Sequence, residues 1–249
     1  MKTKTLAIIL HFNSTQHTNT LYQLLKPYER DDYDLQVWDN GSDPGREPMH
    51  TTKRLEKNIY FGGAFDLAMK YFLDHSEYDS FLFINSDIIL QANTFIRGLR
   101  DKLFSAAGRT LKALSPCVIQ SKLDQGPWKQ AYCWHSSFIR PVRWMDPQFL
   151  LMQRDLVEVL YPLNNSYGFG IEVFIGLACE ARGWKIGVVD NYPILHVGAG
   201  TVHDNLHIPE IASYGNNAYQ EMIQQFTSLG LLGKLNEMHD WARNYTYNP

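Results

Sequence analysis

The sequence comprises 249 residues, of which 45% are hydrophobic and 20% are charged, so it can bury one large α/β core or two small ones. The formal net charge of −3 excludes a protein that an overall positive field holds on nucleic acid or an acidic membrane, although it leaves peripheral membrane contact through a local patch open. No apolar run approaches the roughly 18 residues that a membrane-spanning helix needs.

The first half of the chain alternates predicted strands with predicted helices. The spacing of apolar residues predicts strands over residues 5–12, 34–38, 81–84 and 113–119, and helices over residues 18–28, 64–73 and 93–107. The loop DNGSDPG closes the second strand. Strands that alternate with helices indicate the α/β class, with a mostly parallel central sheet flanked by helices.

The second half departs from this alternation and then returns to it. The pattern predicts an irregular aromatic-rich segment, a strand, two helices and two strands over residues 120–144, 149–152, 154–160, 172–182, 184–189 and 193–197. The last residues of the chain predict two helical pieces. We expect one domain over residues 1–205 and a helical extension of the same domain over residues 206–249.

The number and spacing of the cysteines indicate in which cellular compartment the protein is found. Cys117, Cys133 and Cys179 are an odd number at wide spacing, and no CxxC sequence occurs. We therefore expect three buried thiols in a reducing compartment. The N-terminal run LAIIL is too short for a signal peptide, so we expect a cytoplasmic protein.

The segment FLFINSDIIL places Asn85, Ser86 and Asp87 between two apolar runs. An ionised carboxylate is costly to bury unless it is paired or binds a metal. A turn between two strands is one explanation, and a strand that ends at a cation site is the other.

Polar residues also follow the other strands of the predicted parallel sheet. The carboxyl ends of such strands lie along one edge, where ligands bind, so these residues should converge there. Gly62 and Gly63 predict a loop that opens a helix, where the backbone can approach a ligand and the helix N-terminus favours negative charge. Ordinary turn chemistry is the alternative in each case. Neither GxGxxG nor a Walker A sequence is present, which excludes those two nucleotide-binding motifs.

Six segments in order carry a resemblance to a known family. They read VWDNGSDPG, NIYFGGAFDLAMKY, FLFINSDIIL, FLLMQRDLVEVL, YGFGIEVFIGLACEARGWKIGVV and PILHVGAGT. This order, over residues 5–201, resembles family-two glycosyltransferases of the GT-A fold, in particular rhamnosyltransferase-like members. The resemblance implies inverting transfer of a sugar from a nucleotide diphosphate donor to a glycan or lipid-linked sugar acceptor, as in polysaccharide biosynthesis, with manganese or magnesium as cofactor.

The resemblance also implies roles for individual residues. Those expected to bind the nucleotide sugar are His11, Phe12, Asn13, Asp39, Asn58, Gly62, Gly63, Asp66, Asn85, Ser86 and Asp87. Among them, the resemblance implies that Asp39 holds the nucleoside side of the donor and that Asn58, Gly62, Gly63 and Asp66 lie near the ribose and diphosphate. Asp87 and His196 are expected to hold the metal, although a strand-end histidine satisfied within the core is the alternative for His196. Asn85 stands where the family usually has an acid, so the metal site departs from the usual pattern.

Glu172 is expected to be the catalytic base, because inverting transfer needs one group to take the proton of the attacking hydroxyl. The alternative is a first-turn acid that the helix dipole stabilises. The family usually has two adjacent acids here, and Ile171 replaces the first.

The aromatic segment before residue 149 is expected to shape the acceptor pocket. Trp128, Tyr132, Trp134 and Trp144 could stack on a sugar ring, with core packing as the alternative, and Arg140 and Arg143 could meet a charged group.

Two further functions stay open. Nucleotidyl transfer can use a similar fold and metal, but it calls for a Gly-rich basic loop after the first strand, where this chain has HFNSTQHTN. A catalytically weakened sugar-nucleotide-binding or assembly module is the other, because of the changes at Asn85 and Ile171.

Overall fold

The computed structural model describes residues 4–29, 32–90, 95–105, 110–119, 129–136, 138–197, 205 and 208–246. Within these ranges, nine strands are present: β1 Thr5–His11, β2 Tyr33–Asp39, β3 Lys53–Arg54, β4 Ser80–Asn85, β5 Ile88–Leu90, β6 Leu111–Val118, β7 Ile139–Val142, β8 Phe149–Gln153 and β9 Lys185–His196. The same ranges contain eight α-helices: α1 Thr15–Leu25, α2 Tyr60–Leu73, α3 Phe95–Leu103, α4 Arg154–Leu160, α5 Ile171–Glu180, α6 Pro209–Ala212, α7 Tyr214–Ser228 and α8 Leu232–Arg243.

The strands form a single sheet in the order β3-β2-β1-β4-β8-β6-β9-β5, and β7 also pairs with β9. β1 is parallel to both β2 and β4, β2 is parallel to β3, and β6 is parallel to β9. β8 is antiparallel to its neighbours β4 and β6. It follows β7 and residues 143–148, which form no helix, and it enters the sheet from the opposite end. The α/β prediction is confirmed, with this antiparallel insertion as an addition.

β1 carries apolar side chains on both faces, and helices bury them by covering both faces of the sheet. Leu6 and Ile8 pack into one buried cluster, which also contains side chains of α2, α4, α5, α7 and α8. Ala7 and Ile9, which point the other way from the pleated strand, pack into a second cluster with α1 and α3. The C-terminal helices α7 and α8 therefore share the first cluster with the sheet.

Two of the differences from the sequence-based element boundaries bear on the site and the sheet. The helix expected to begin at Ala64 begins at Tyr60, so Gly62 and Gly63 lie in its first turn rather than in a loop before it. The two strands expected at the end of the sheet are one strand, β9, whose first part pairs with β7 and whose end pairs with β5. The whole length of β9 stays in the sheet despite Pro193, because each of its two parts pairs with a further strand, β7 or β5.

The prediction of three thiols is wrong for two of them. Cys117 of β6 and Cys133 form a disulfide, while Cys179 is a buried free cysteine. The fold brings the first two together because residues 132 and 118 form an isolated β-bridge beside them. The expectation of a reducing compartment therefore loses its support from these two residues. None of the helices in the described ranges is both long enough and apolar enough to cross a membrane.

Candidate active site

The strand ends converge as expected. His11 lies beside Asp39 in the pairing of β1 with β2, and Leu10 lies beside Asn85 in the pairing of β1 with β4. The polar residues that follow these three strands therefore share one edge of the sheet, which is where open α/β sheets bind ligands.

A cavity of about 560 Å³ opens at this edge. Seven of the predicted site residues line it: Phe12, Asn58, Asn85, Ser86, Asp87, Glu172 and His196. The volume is within the range of sites that hold small-molecule ligands. The structure thus brings both predicted metal ligands and the predicted base to one cavity.

Asp87 and His196 are in direct contact. Nε2 of His196 lies 3.2 Å from Oδ2 of Asp87, and both residues are at least nine-tenths buried. The contact arises because Ser86 and Asp87 form the turn between β4 and β5, and β5 then pairs Ile88 with His196 on β9. The turn between two strands is therefore present, and it lies at the end of β4 in the cavity wall. That it also binds a cation stays a prediction.

Asn85 completes this group. Its side-chain oxygen Oδ1 is buried and accepts no hydrogen bond from the described part of the chain. Amide and carboxylate oxygens are ligands that magnesium and manganese accept. The described residues contain no group of three His, Cys, Asp or Glu side chains placed to hold a metal ion. Asp87, His196 and Asn85 are side chains of types that suit a divalent cation, and such an ion would need further ligands from a bound molecule.

His11 and Asn13 are not among the cavity-lining residues. His11 is fully buried, and its Nε2 donates a hydrogen bond to the Arg46 carbonyl oxygen over 2.9 Å, so Nδ1 accepts from the Thr18 hydroxyl over 2.7 Å. Burial lowers the pKa of His11 below its usual value. These contacts give His11 a structural role in joining β1 to α1 and the loop after β2.

Asn13 holds the same loop from the other side. Its side-chain amide donates to Asp43 and to Asn205, and its backbone N–H donates to the Ser42 hydroxyl. Its φ of +52° lies in the left-handed region, which a non-glycine residue occupies at a cost. Asn13 is therefore a buried junction of three segments.

Asp39 is fully buried and is paired within the protein. Its Oδ1 accepts a hydrogen bond from the Ser42 N–H over 2.9 Å, and Nη1 of Arg54 lies 3.1 Å from its Oδ2 without the alignment of a hydrogen bond. The next residue, Asn40, lines the cavity and donates from its amide to Oδ1 of Asn58 over 2.9 Å. The sequence pattern had pointed to Asp39 and Asn58 but had not singled out Asn40.

Gly62, Gly63 and Asp66 contact the segment before α5 instead of lining the cavity. A Cβ on Gly62 would lie 2.0 Å from the carbonyl oxygen of Asn165, so close packing requires glycine there. The Gly63 N–H donates to the Ser166 carbonyl over 2.9 Å. The prediction that the two glycines open a ligand-binding loop is corrected by these contacts, because the helix begins before them.

The Asp66 carboxylate accepts hydrogen bonds from the backbone N–H groups of residues 163 and 164, at 3.0 and 2.8 Å. It is thus engaged by the chain itself, and its expected place beside the ribose and diphosphate has no support from the contacts that it makes.

Glu172 lies in the first turn of α5, after a left-handed cap at Gly170 with a φ of +86°. Its position in the cavity wall is set by this sharp turn, which glycine adopts without strain. Burial raises the pKa of Glu172 to about 8, and the nearby Asp146 carboxylate adds to the effect, whereas backbone hydrogen bonds at residues 172 and 170 oppose it. A perturbed acid in a cavity is typical of a functional site.

Ile171, which replaces the first acid of the family's pair, is fully buried in the core and does not line the cavity. The replacement consequently leaves no gap in the site.

Sequence reasoning missed most of the wall opposite the strand ends. This wall is formed by Tyr60, Asp146, Phe169, Ile211, Tyr214, Tyr219, Met222, His239 and Arg243, among others. The rings of Tyr60 and Tyr214 pack with Tyr167, at centroid distances of 4.5 and 5.7 Å. Most of these residues belong to α6, α7 and α8, beyond the segments that carried the family resemblance, and their spacing alone indicates only amphipathic helices.

The aromatic residues that were predicted to bind the acceptor differ in whether they line the cavity. Trp144 lines the cavity, but it is 1% exposed and its indole N–H donates to the Met238 carbonyl over 3.0 Å. Trp134 and Tyr132 are not among the lining residues, and Trp128 lies outside the described residues.

The two arginines of the same segment bind carboxylates of the protein. Arg140 is fully buried against Asp190, with Nη2 and Oδ1 2.8 Å apart. Arg143 pairs with Glu180 and Glu237. Both arginine charges are thus matched within the fold, and neither arginine is among the cavity-lining residues.

No protein-family model matches the sequence, and no curated protein matches it. Solved structures do resemble it. Glucosyl-3-phosphoglycerate synthase from Mycobacterium tuberculosis, in complex with Mg²⁺ and uridine diphosphate, superposes with a TM-score of 0.59 at 14% identity, over 87% of this chain and 79% of that one. The mannosyltransferase PcManGT from Pyrobaculum calidifontis, in complex with GDP-Man and Mn²⁺, gives a TM-score of 0.57 at 13% identity, over 99% of this chain and 77% of that one.

TarS of S. aureus, residues 1–349, gives a TM-score of 0.52 at 12% identity, over 90% of this chain and 72% of that one. At this level of identity the likeness concerns the fold alone. The chain therefore has the GT-A fold of the glycosyltransferases.

Proposed function

We propose that this protein is an inverting glycosyltransferase, which moves a sugar from a nucleotide diphosphate donor to a hydroxyl group of a glycan or lipid-linked sugar. The observation that carries the proposal is that Asp87 and Glu172 line the same cavity. The two carboxylates come from distant parts of the chain, and an arrangement on opposite sides of the molecule would have excluded the function. The GT-A fold supports the same reaction class.

The donor side of the cavity is the wall of strand ends. Phe12, Asn40 and Asn58 offer one ring and two amides to a nucleoside. Asp39 keeps its proposed contact with the nucleoside, although it is paired with Arg54 in the absence of one. Asp39 is fully buried and is not among the cavity-lining residues, so this contact requires the Arg54 side chain, which is 44% exposed, to move away and open the carboxylate to the cavity.

Asp87, His196 and Asn85 would hold a manganese or magnesium ion beside the diphosphate. When bound, such an ion neutralises the negative charge that builds up on the leaving diphosphate. His196 and Asp87 already lie 3.2 Å apart, so the protein side of the site is pre-formed. The Asn85 oxygen supplies a neutral ligand where the family usually has an acid, and this lowers the negative charge of the site by one.

Glu172 takes the proton in this proposal. The acceptor hydroxyl transfers its proton to a carboxylate oxygen of Glu172 as the hydroxyl oxygen attacks the anomeric carbon, and the bond from that carbon to the diphosphate oxygen breaks on the opposite face. Attack on the opposite face inverts the anomeric configuration. Because the base must be ionised and its pKa is about 8, we expect the rate to rise with pH up to about that value.

The acceptor side is the aromatic and helical wall. Phe169, Tyr214 and Tyr219 line it and can pack on the C–H faces of a sugar ring. A cytoplasmic location and a part in polysaccharide biosynthesis belong to the same proposal, and contact with a membrane surface stays a prediction.

A second candidate, a sugar-nucleotide-binding module with weakened catalysis, is favoured by one observation. Asn85 cannot supply the charge of the acid that it replaces, whereas the buried Ile171 removes nothing from the cavity. Nucleotidyl transfer finds less support, because the loop after β1 is held by His11 and Asn13 within the protein.

The test is donor turnover by the purified full chain. UDP-, GDP- and dTDP-sugars are incubated with manganese, and free nucleotide is measured for the unchanged protein, Glu172→Gln, Asp87→Ala and the control Glu158→Gln, whose side chain is exposed on α4. We expect turnover with at least one donor, a loss of about 10²- to 10⁴-fold in Glu172→Gln and no change in the control. Tight nucleotide binding without turnover of any donor would overturn the proposed enzymatic function and would favour the binding module.

A further inference from the structure

The segment that leads into Glu172 is held in place by a helix from the C-terminal part of the chain. Helix α7 packs its Met222 and Phe226 side chains so closely on Gly170 that a Cβ there would lie 2.9 and 2.8 Å from them. The ring of Phe226 also stacks on Phe174 of α5, with the centroids 4.4 Å apart. The helix that carries Glu172 is therefore seated directly on α7.

Polar contacts from α7 reach the segment before α5. Both oxygens of the Glu221 carboxylate accept from the Ser166 N–H, at 3.1 and 3.0 Å, and one of them accepts from the Tyr167 N–H at 2.9 Å. One turn further along α7, Gln225 accepts from the Asn165 amide and donates to the Leu163 carbonyl. Hydrogen bonds to a carboxylate are roughly twice as strong as neutral ones, so Glu221 is the strongest of these attachments.

The other side of the same segment is attached to α2. Asp66 accepts from residues 163 and 164, and Gly63 donates to Ser166. Within the segment, Oδ1 of Asn165 accepts from the Gly168 N–H over 2.6 Å. The segment is consequently fixed between a helix of the first half of the chain and a helix of the C-terminal part.

Glu221 itself does not line the cavity, so its effect on the reaction must pass through the segment that it holds. We propose that Glu221 is a positioning residue for Glu172, and that helix α7 is therefore part of the active centre rather than an appendage. This inference rests on the proposed function, because that function gives Glu172 its role as the base. The hydrogen bonds between Glu221 and the segment before α5 do not depend on the proposed function.

Loss of Glu221 would free two backbone N–H groups and let water reach the base of α5. The titratable and charged groups around the cavity are Tyr60, Asp87, Asp146, His196, Tyr214, Tyr219, His239 and Arg243. Tyr214 interacts electrostatically with both Glu221 and Glu172. Glu221→Ala and Glu221→Gln remove the same charge, so a larger change in the titration of Glu172 in the alanine variant than in the glutamine variant would report movement of the segment.

The test compares Glu221→Ala and Glu221→Gln with the control Glu158→Gln. Steady-state kinetics on the best donor and titration of the Glu172 carboxyl by carbon-13 NMR, assigned with Glu172→Gln, are measured on the full chain. We expect kcat to fall by about 10- to 100-fold in Glu221→Ala with the donor KM within about twofold, since a misplacement near 1 Å can cost that much. We also expect the Glu172 carboxyl to titrate well below pH 8 in this variant.

Glu221→Gln keeps the size of the side chain and one accepting oxygen, so it should fall between the unchanged protein and Glu221→Ala, and it decides the question if the alanine variant does not fold. An unchanged Glu172 titration and an unchanged kcat in both variants would overturn the inference. If the unchanged protein turns over no donor, the proposed function fails, and the NMR titration alone still decides whether Glu221 positions Glu172.

Discussion

Asp87 and His196 contact each other because the turn after β4 delivers Asp87 next to the end of β9. His196 faces Ile88 in the pairing of β5 with β9, and the backbone carbonyl of Asp87 accepts from the Val197 N–H over 3.1 Å. The side-chain contact is thus fixed by backbone pairing on both sides. We expect such a pre-formed pair to bind a cation with little rearrangement.

Replacement of His196 should separate metal-dependent from metal-independent binding. We expect His196→Ala to weaken nucleotide binding in manganese by at least about 10-fold and to leave binding in EDTA unchanged, because only the cation links His196 to the diphosphate. Calorimetric titration of a nucleoside diphosphate with and without manganese measures both. His17→Ala on α1 is the control, and equal losses in manganese and EDTA would contradict the assignment of His196 to the metal.

The raised pKa of Glu172 predicts a pH dependence of stability that does not require turnover. The folded protein holds this proton up to about pH 8, whereas the unfolded chain releases it near 4.5, so the free energy of unfolding should fall as the pH rises between these values. Glu172→Gln lacks this dependence. We expect its stability relative to the unchanged protein to rise from pH 5 to pH 8, by about 1–3 kcal/mol.

Urea denaturation at pH 5, 6, 7 and 8 measures the free energy of unfolding of Glu172→Gln and of the unchanged protein. Glu158→Gln is the matched control, and its difference from the unchanged protein should stay constant across the series. A constant difference for Glu172→Gln as well would show that Glu172 has an ordinary pKa.

Gly62→Ala should destabilise the fold, because the added methyl group would lie 2.0 Å from the Asn165 carbonyl oxygen and α2 would have to move away from the segment before α5. We expect a loss of about 1–3 kcal/mol in the free energy of unfolding. Gly233→Ala in α8 meets nothing within 4 Å and should be neutral or stabilising by up to about 1 kcal/mol. Similar effects of the two substitutions on the urea midpoint would refute the packing role of Gly62.

Arg140→Gln should be much more damaging than Arg143→Gln. Arg140 is fully buried, pairs with Asp190 and donates to the carbonyl groups of residues 130 and 132, so its loss leaves a buried carboxylate uncompensated. We expect a cost of about 3–5 kcal/mol. Arg143 makes its ion pairs at the surface, where the cost should stay within about 1 kcal/mol. Thermal and urea unfolding of both variants provide the comparison.

The parts of the site that could be predicted are those that local sequence determines. An apolar run with a polar end identifies a buried strand, and parallel strands put their polar ends on one edge, so Asn85 and Asp87 were found without a structure. Glu172 was singled out by the family resemblance, in which an acid opens a helix at this point, and its role as the base stays a prediction. These signals lie within a few residues of the side chain that they identify.

The parts that could not be predicted depend on contacts between distant segments. Asp146 sits in no recognisable motif, and the apolar residues of α7 have the same spacing whether they face a core or a cavity. The pairing of Cys117 with Cys133 depends on how the segment after β6 returns to the sheet. Gly62 resembles a flexible ligand loop in sequence, and only the approach of Asn165 shows that it serves packing.

The two walls of the cavity are formed by different parts of the chain. Strand ends from the first half of the chain supply Phe12, Asn58 and Asp87, whereas Tyr214 and Tyr219 come from a helix near its other end. Mutations in that helix can therefore alter which molecules are accepted while the strand ends stay as they are, and this separation would let descendants of one ancestor diversify in specificity without rebuilding the sheet.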